Sequence, residues 1–153
     1  MTRVLTLDTM GNQSGGKGSC LKQSSVLGST VEQARRKYIM TMSLNEIFYK
    51  VEKHLLKQNE QAKVRNRCKY RTSSGLSCAV GCLIPDEMYT NKIENMNVAR
   101  LPLNIIKPIV GVQRDKVEIK LELLENLQEI HDNILPIRWP THLADIKTEF
   151  GIN

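Results

Sequence analysis

Aromatic residues are scarce in this chain, with one Trp, four Tyr and two Phe among 153 residues. Its core must therefore be assembled mainly from Leu, Ile, Val and Met. No apolar run approaches the roughly 20 residues that a membrane-spanning helix requires, so no membrane partner is expected. The N-terminus, MTRVLTLDTMGNQSGGKG, lacks the apolar core and small-residue cleavage pattern of a secretory signal, which points to a cytoplasmic protein. In that compartment its four cysteines are expected as thiols rather than disulfides. No stretch completes a catalytic or cofactor motif, and no cofactor is expected. What is present, 41% hydrophobic and 25% charged residues, suits one soluble domain with one core.

Composition divides the chain at about Met42. Residues 1–41 hold five of the nine glycines, many Ser and Thr, and six basic residues against Asp8 and Glu32, which is +4 of the net +6. With no sustained apolar period, this stretch reads as a flexible, Gly/Ser-rich basic extension, and translation starting at Met40 or Met42 is an open reading. Gly11, Gly16 and Lys17 follow RVLTLDTM in the order of a phosphate-binding loop. Gly18, however, stands where the magnesium-binding Ser or Thr belongs, and no parallel sheet follows, so a chance match is the better reading.

Ser43 and Glu46 form a capping-box pattern, and Leu44, Ile47, Phe48, Val51, Leu55 and Leu56 follow at helical spacing, predicting an amphipathic helix over 44 to about 60. Lys50, Lys53, Lys57 and Gln58 form its wet face. Cys68, Tyr70, Leu76 and Cys78 alternate with polar residues about a TSSG turn, predicting a hairpin in which Tyr70 opposes Leu76 and Cys68 opposes Cys78. Pro85, Asp86 and Glu87 suit a helical first turn, and Pro102 and Pro108 break the segment from 91 to 114. A helix is expected from about 120 to 132, with Val117, Ile119 and Leu121 able to form a short strand before it. PIRWP at 136–140 reads as a loop with Trp139 plugged into the core. Thr141 is expected to cap a last helix that ends at Gly151. The fold class is α+β: about three main helices and a β-hairpin in one domain over 42–153.

CKYRTSSGLSCAVGCLIPDEMY at 68–89, ELLENLQEIHDN at 122–133 and the terminal WPTHLADIKTEFGI together resemble a group of small, mostly uncharacterised proteins of bacteriophages and prophages. The resemblance covers 43–152. It implies a setting rather than a chemistry: such proteins often bind a host or phage component to redirect it.

Two constellations point to chemistry. Cys68, Cys78, Cys82 and His131 are ligand types that zinc favours, but only Cys78 and Cys82 stand near the usual paired spacing, so buried cysteines are the better reading. His131 beside Asp132 suggests a base for a nucleophilic cysteine. Neighbouring helical positions face apart, though, and His131 lies on the apolar stripe, so a core or boundary histidine is expected and an enzyme is the third reading.

Residues 50–71 carry eight Lys or Arg against Glu52 and Glu60, whereas 72–153 carry eight basic and eleven acidic residues. In an extended stretch Lys63, Arg65, Arg67, Lys69 and Arg71 would project from one face. Such a row is too costly to bury without acidic partners and could neutralise phosphates, with Tyr70 stacking on a base. A solvated face is the plain alternative. The leading function is a phage-type accessory protein that binds a host or phage protein, a host-defence component among them. The alternative is a nucleic-acid-binding module using the 50–71 patch. Oligomeric state is left open.

Overall fold

A computed structural model describes residues 41–153. The Gly/Ser-rich extension up to residue 40, the P-loop-like run within it and the Met40 start lie outside the described residues. The first helix, α1 (Leu44–Gln58), begins as the capping box dictates: Ser43 Oγ accepts from Glu46 N, and Glu46 Oε2 accepts from Ser43 N. Ile47, Phe48, Val51 and Leu55 are buried. Leu56 is exposed, because it sits about 100° around the helix from Leu55 and leaves the buried stripe. Gln58, expected to be wet, instead exchanges two hydrogen bonds with the Ser77 backbone, each 3.0 Å.

The hairpin differs in register from the expected one. Strands β1 (Lys63–Val64) and β2 (Arg67–Cys68) are antiparallel, pairing Lys63 with Cys68 and Val64 with Arg67. Arg65 and Asn66, both at positive φ, make the connection, which is the signature of a type I′ turn. The TSSG segment does turn, with Gly75 at φ +88. There, however, Thr72 N bonds Leu76 O and Arg71 bridges Ser77, so Cys78 N meets Tyr70 O. Cys68 and Cys78 are therefore not cross-strand partners. The close approach of this second turn leaves no room at Gly81, where a Cβ would stand 1.9 Å from the Tyr70 carbonyl oxygen.

Residues 79–101 follow as turns and three short 3-10 helices (Asp86–Met88, Asn91–Ile93, Val98–Arg100). Helix α2 (Leu103–Val110) carries Pro108 within it. Helix α3 runs unbroken over Arg114–Asn133, so Val117, Ile119 and Leu121 are helical and not a strand. Their alternation was outweighed by Leu121, Leu124 and the following i, i+3 and i+4 positions. A 3-10 turn (Pro136–Arg138) runs directly into α4 (Trp139–Glu149), placing Thr141 inside the helix rather than at its cap. Trp139 is fully buried, with its indole N–H shared between the carbonyls of Ile130 and Ile134. Gly151, at φ +59, ends α4 with bonds from Gly151 N to Thr148 O and Ile152 N to Lys147 O, the paired contacts of a Schellman cap.

The described residues thus form a small α+β domain of four α-helices and a two-stranded antiparallel hairpin. A continuous core runs from Ile47 through Trp139 to Ile152. Helices α1, α3 and α4 pack on one another, and the hairpin foot is tied to the C-terminal end of α3. Among the described residues no helix is long and apolar enough to cross a membrane.

Candidate functional site

The hairpin leaves the core at Gln61 and Ala62. Gln61 Nε2 donates to the carbonyls of His131, Asp132 and Ile134 at 2.6, 3.2 and 3.1 Å, taking up acceptors at the end of α3 that have no helical donor. Ala62 N donates to His131 Nε2 at 2.9 Å, and His131 Nδ1 lies 2.7 Å from Asp132 Oδ1. An Nε2 that accepts a backbone N–H must carry a lone pair, so the proton of the neutral ring is on Nδ1, directed at the carboxylate. Adjacency in a helix did not keep Asp132 from this histidine. Nδ1 is the ring nitrogen nearest its own backbone, and a short carboxylate one residue along reaches it. Gln128 Nε2 also donates to Asp132 Oδ1, at 2.7 Å, and the imidazole stacks on Trp139 at 5.9 Å between centroids.

Ligand atoms of Cys68, His131 and Asp132 lie within 4.8 Å of one another. The four residues weighed for zinc do not assemble. Cys78 Sγ accepts from Gly81 N and Cys82 Sγ donates to Ala79 O, and neither joins that cluster. Metal ligation by His131 would require a free ring lone pair, and the only one is held by Ala62.

Nucleophilic catalysis meets the same obstacle, because the nitrogen that would take a thiol proton already faces a backbone N–H. Burial, then the Asp132 contact, pushes the Cys68 thiol up to about 12, leaving it protonated and a poor nucleophile at neutral pH. Burial alone would also raise the Asp132 carboxyl, but hydrogen bonds from His131, Gln128 and Cys68 outweigh it and hold the group below its ordinary range. His131 is thus a satisfied core histidine.

The basic row divides in two. Lys63, Arg65 and Arg67 are exposed around the hairpin. Lys69 turns back, its ammonium donating to Asn95 Oδ1 at 2.9 Å. Arg71 points inward: its guanidinium donates to the carbonyls of Gly81 and Ile84 and to Asp86, and lies over the Tyr89 ring. Glu94 fastens the same stretch by accepting from the backbone N–H groups of Tyr70 and Arg71 and from the Tyr89 hydroxyl. Tyr70 is only 6% exposed, with its hydroxyl donating to Met96 O, so it offers no stacking face. The turn at Arg65 and Asn66 breaks the alternation that would have aligned all five charges.

Clefts along the surface were not anticipated. One of about 460 Å³ lies beside the hairpin, bordered by Cys68, Lys69, Met96, Arg100, Gln128 and Asp132. Another, about 500 Å³, lies between α2 and the start of α3 and is mainly apolar, with Leu103 and Val112 at its rim. Apolar residues next to Pro102 and Gly111 were its only signal in the sequence. Comparison with protein-family models, with curated proteins and with solved structures finds no match.

Proposed function

We propose that this chain is a small phage-type accessory protein that acts by binding an anionic macromolecular target, with the 63–68 hairpin as its contact surface. The resemblance of 68–89, 122–133 and the C-terminal segment to small phage proteins supplies the setting. In that setting the target is a host component, such as part of a host-defence system, met in the host cytoplasm. The observation that carries the reading is the state of Lys63, Arg65 and Arg67. All three are exposed, and none is ion-paired among the described residues in the way Arg71 is with Asp86. Three cations within five residues, none of them ion-paired among the described residues, repel one another, and an anionic partner relieves that repulsion.

The test is capture from host lysate by tagged protein, comparing wild type with Arg65→Glu/Arg67→Glu, each with and without nuclease. A partner held by wild type and released by the variant, at an unchanged melting temperature, supports the reading. Equal capture by both overturns it.

A further inference from the structure

We propose that Arg65 is a contact residue kept at the hairpin tip against the preference of its own turn, and that the hairpin's partner is a nucleic-acid duplex. This narrows the contact-surface reading above and rests on it. A two-residue type I′ connection needs positive φ at both central positions and is best made by Asn-Gly. Here the pair is Arg65 and Asn66, at φ 50 and 63. Asn accepts that region readily, whereas an arginine there sets its Cβ against the neighbouring backbone. The same chain places glycine at positive φ in its next turn, at Gly75. Arg65 receives nothing in return from the fold, since its side chain makes no hydrogen bond or ion pair with the described residues. An unfavourable backbone position occupied by an unpartnered guanidinium is the pattern of a residue retained for what it touches.

The form of the surface selects the partner. Cross-strand neighbours share a face, so Val64 and Arg67 stand side by side next to the tip. Two strands about 4.8 Å apart make a ribbon that the roughly 12 Å major groove of B-form DNA admits. In that placement Arg65 reaches base edges while Lys63 and Arg67 meet the phosphates on either side. Single strands are held largely by stacking on aromatic rings, and the one aromatic in this stretch, Tyr70, is buried. Protein partners are held by aromatic and apolar anchors around a desolvated centre. The hairpin offers only Val64 of that kind, half exposed among cations.

Anisotropy of a fluorescein-labelled DNA duplex of about 20 base pairs tests this with wild type, Arg65→Glu/Arg67→Glu and the turn-repaired Arg65→Asn/Asn66→Gly. With two phosphate contacts, from Lys63 and Arg67, wild-type affinity should fall roughly 12-fold between about 50 and about 200 mM salt. The charge reversal should abolish binding. The turn repair should melt higher than wild type yet bind the duplex about tenfold more weakly, and the matching single strand should bind wild type less tightly than the duplex. Equal duplex binding by the turn-repaired protein, no gain in its melting temperature, or no wild-type binding at low salt overturns the proposal. If lysate capture instead yields a nuclease-resistant acidic protein that the charge reversal releases, the hairpin is a contact surface but its partner is not a duplex. If neither measurement responds to the reversal, both readings fall.

Discussion

The backbone N–H of Ala62 donates to Nε2 of His131 across 2.9 Å, joining the foot of the hairpin to the last turn of α3 and fixing the ring's tautomer. Replacing His131 with Ala leaves that buried N–H without an acceptor and opens space beside Trp139. An unsatisfied buried donor costs about 1–3 kcal/mol and the lost packing adds to it, so a total near 3 kcal/mol is expected in urea unfolding. The same bond predicts that Zn²⁺ added to the wild-type protein leaves its melting temperature unchanged. A rise would show that the imidazole gives up Ala62 for a metal.

Acid sensitivity should trace to Asp132. Its carboxyl is held below the ordinary range in the folded state, so the unfolded chain takes up a proton at higher pH than the folded one does. The stabilisation is complete above the unfolded value, near pH 4, and is lost as pH falls through the lower folded value. Asp132→Asn still offers His131 an acceptor but carries no charge. It should be less stable than wild type at pH 7, with the difference narrowing below about pH 4. Chemical denaturation across that range reads this out, and a difference that stays constant would remove Asp132 as the source.

The three thiols of the described residues should be unreactive. Burial pushes Cys68 and Cys82 up to about 12 and pushes Cys78 up as well. With folded values above the unfolded ones, these groups favour the fold at neutral pH, and their contribution declines as pH rises past about 9. Iodoacetamide at pH 8, followed by peptide mapping, should label Cys68 more slowly than a free cysteine and leave Cys78 unlabelled until the protein unfolds. Fast labelling of Cys68 would reopen the nucleophile reading.

Legibility followed how local each signal was. Ser43 and Glu46 lie three residues apart and settle the start of α1 by themselves. Gly151 likewise announces the end of α4. The hairpin register depended on which of two turn signals governs, Gly75 in TSSG or Asn66, which tolerates the left-handed region almost as readily. The fates of Arg71 and Tyr70 were not legible at all. Their partners, Gly81, Ile84, Asp86, Glu94 and Met96, come from a segment of turns with no periodic pattern to place it. The His131 and Asp132 pair was visible as a sequence dyad, but its role was set by Ala62, 69 residues away.

Gly81→Ala should be among the most damaging single-methyl changes in the domain. The added Cβ would stand 1.9 Å from the Tyr70 carbonyl oxygen and 2.8 Å from its carbon, and backbone on both sides leaves no flexible side chain to yield. Overpacking of this kind costs about 3 kcal/mol. A loss under about 1 kcal/mol in thermal or urea unfolding would mean that the second turn moves freely over the 79–84 segment.

Arg71 and Arg65, six residues apart in one basic run, should separate stability from binding. Arg71→Ala strips donors from the carbonyls of Gly81 and Ile84, and losing bonds from a charged group should cost about 2–3 kcal/mol. Its ion pair with Asp86 contributes little of this, because Asp86 is 93% exposed. Asp86→Ala should therefore cost no more than about 1 kcal/mol. Arg65→Ala and Arg67→Ala touch no internal partner and should change stability by about 0.5 kcal/mol or less. Urea unfolding of the four single variants, set beside their partner capture, gives the comparison. If Arg71→Ala unfolds like wild type, its guanidinium is not holding the 81–86 turn and belongs with the exposed cations of the hairpin.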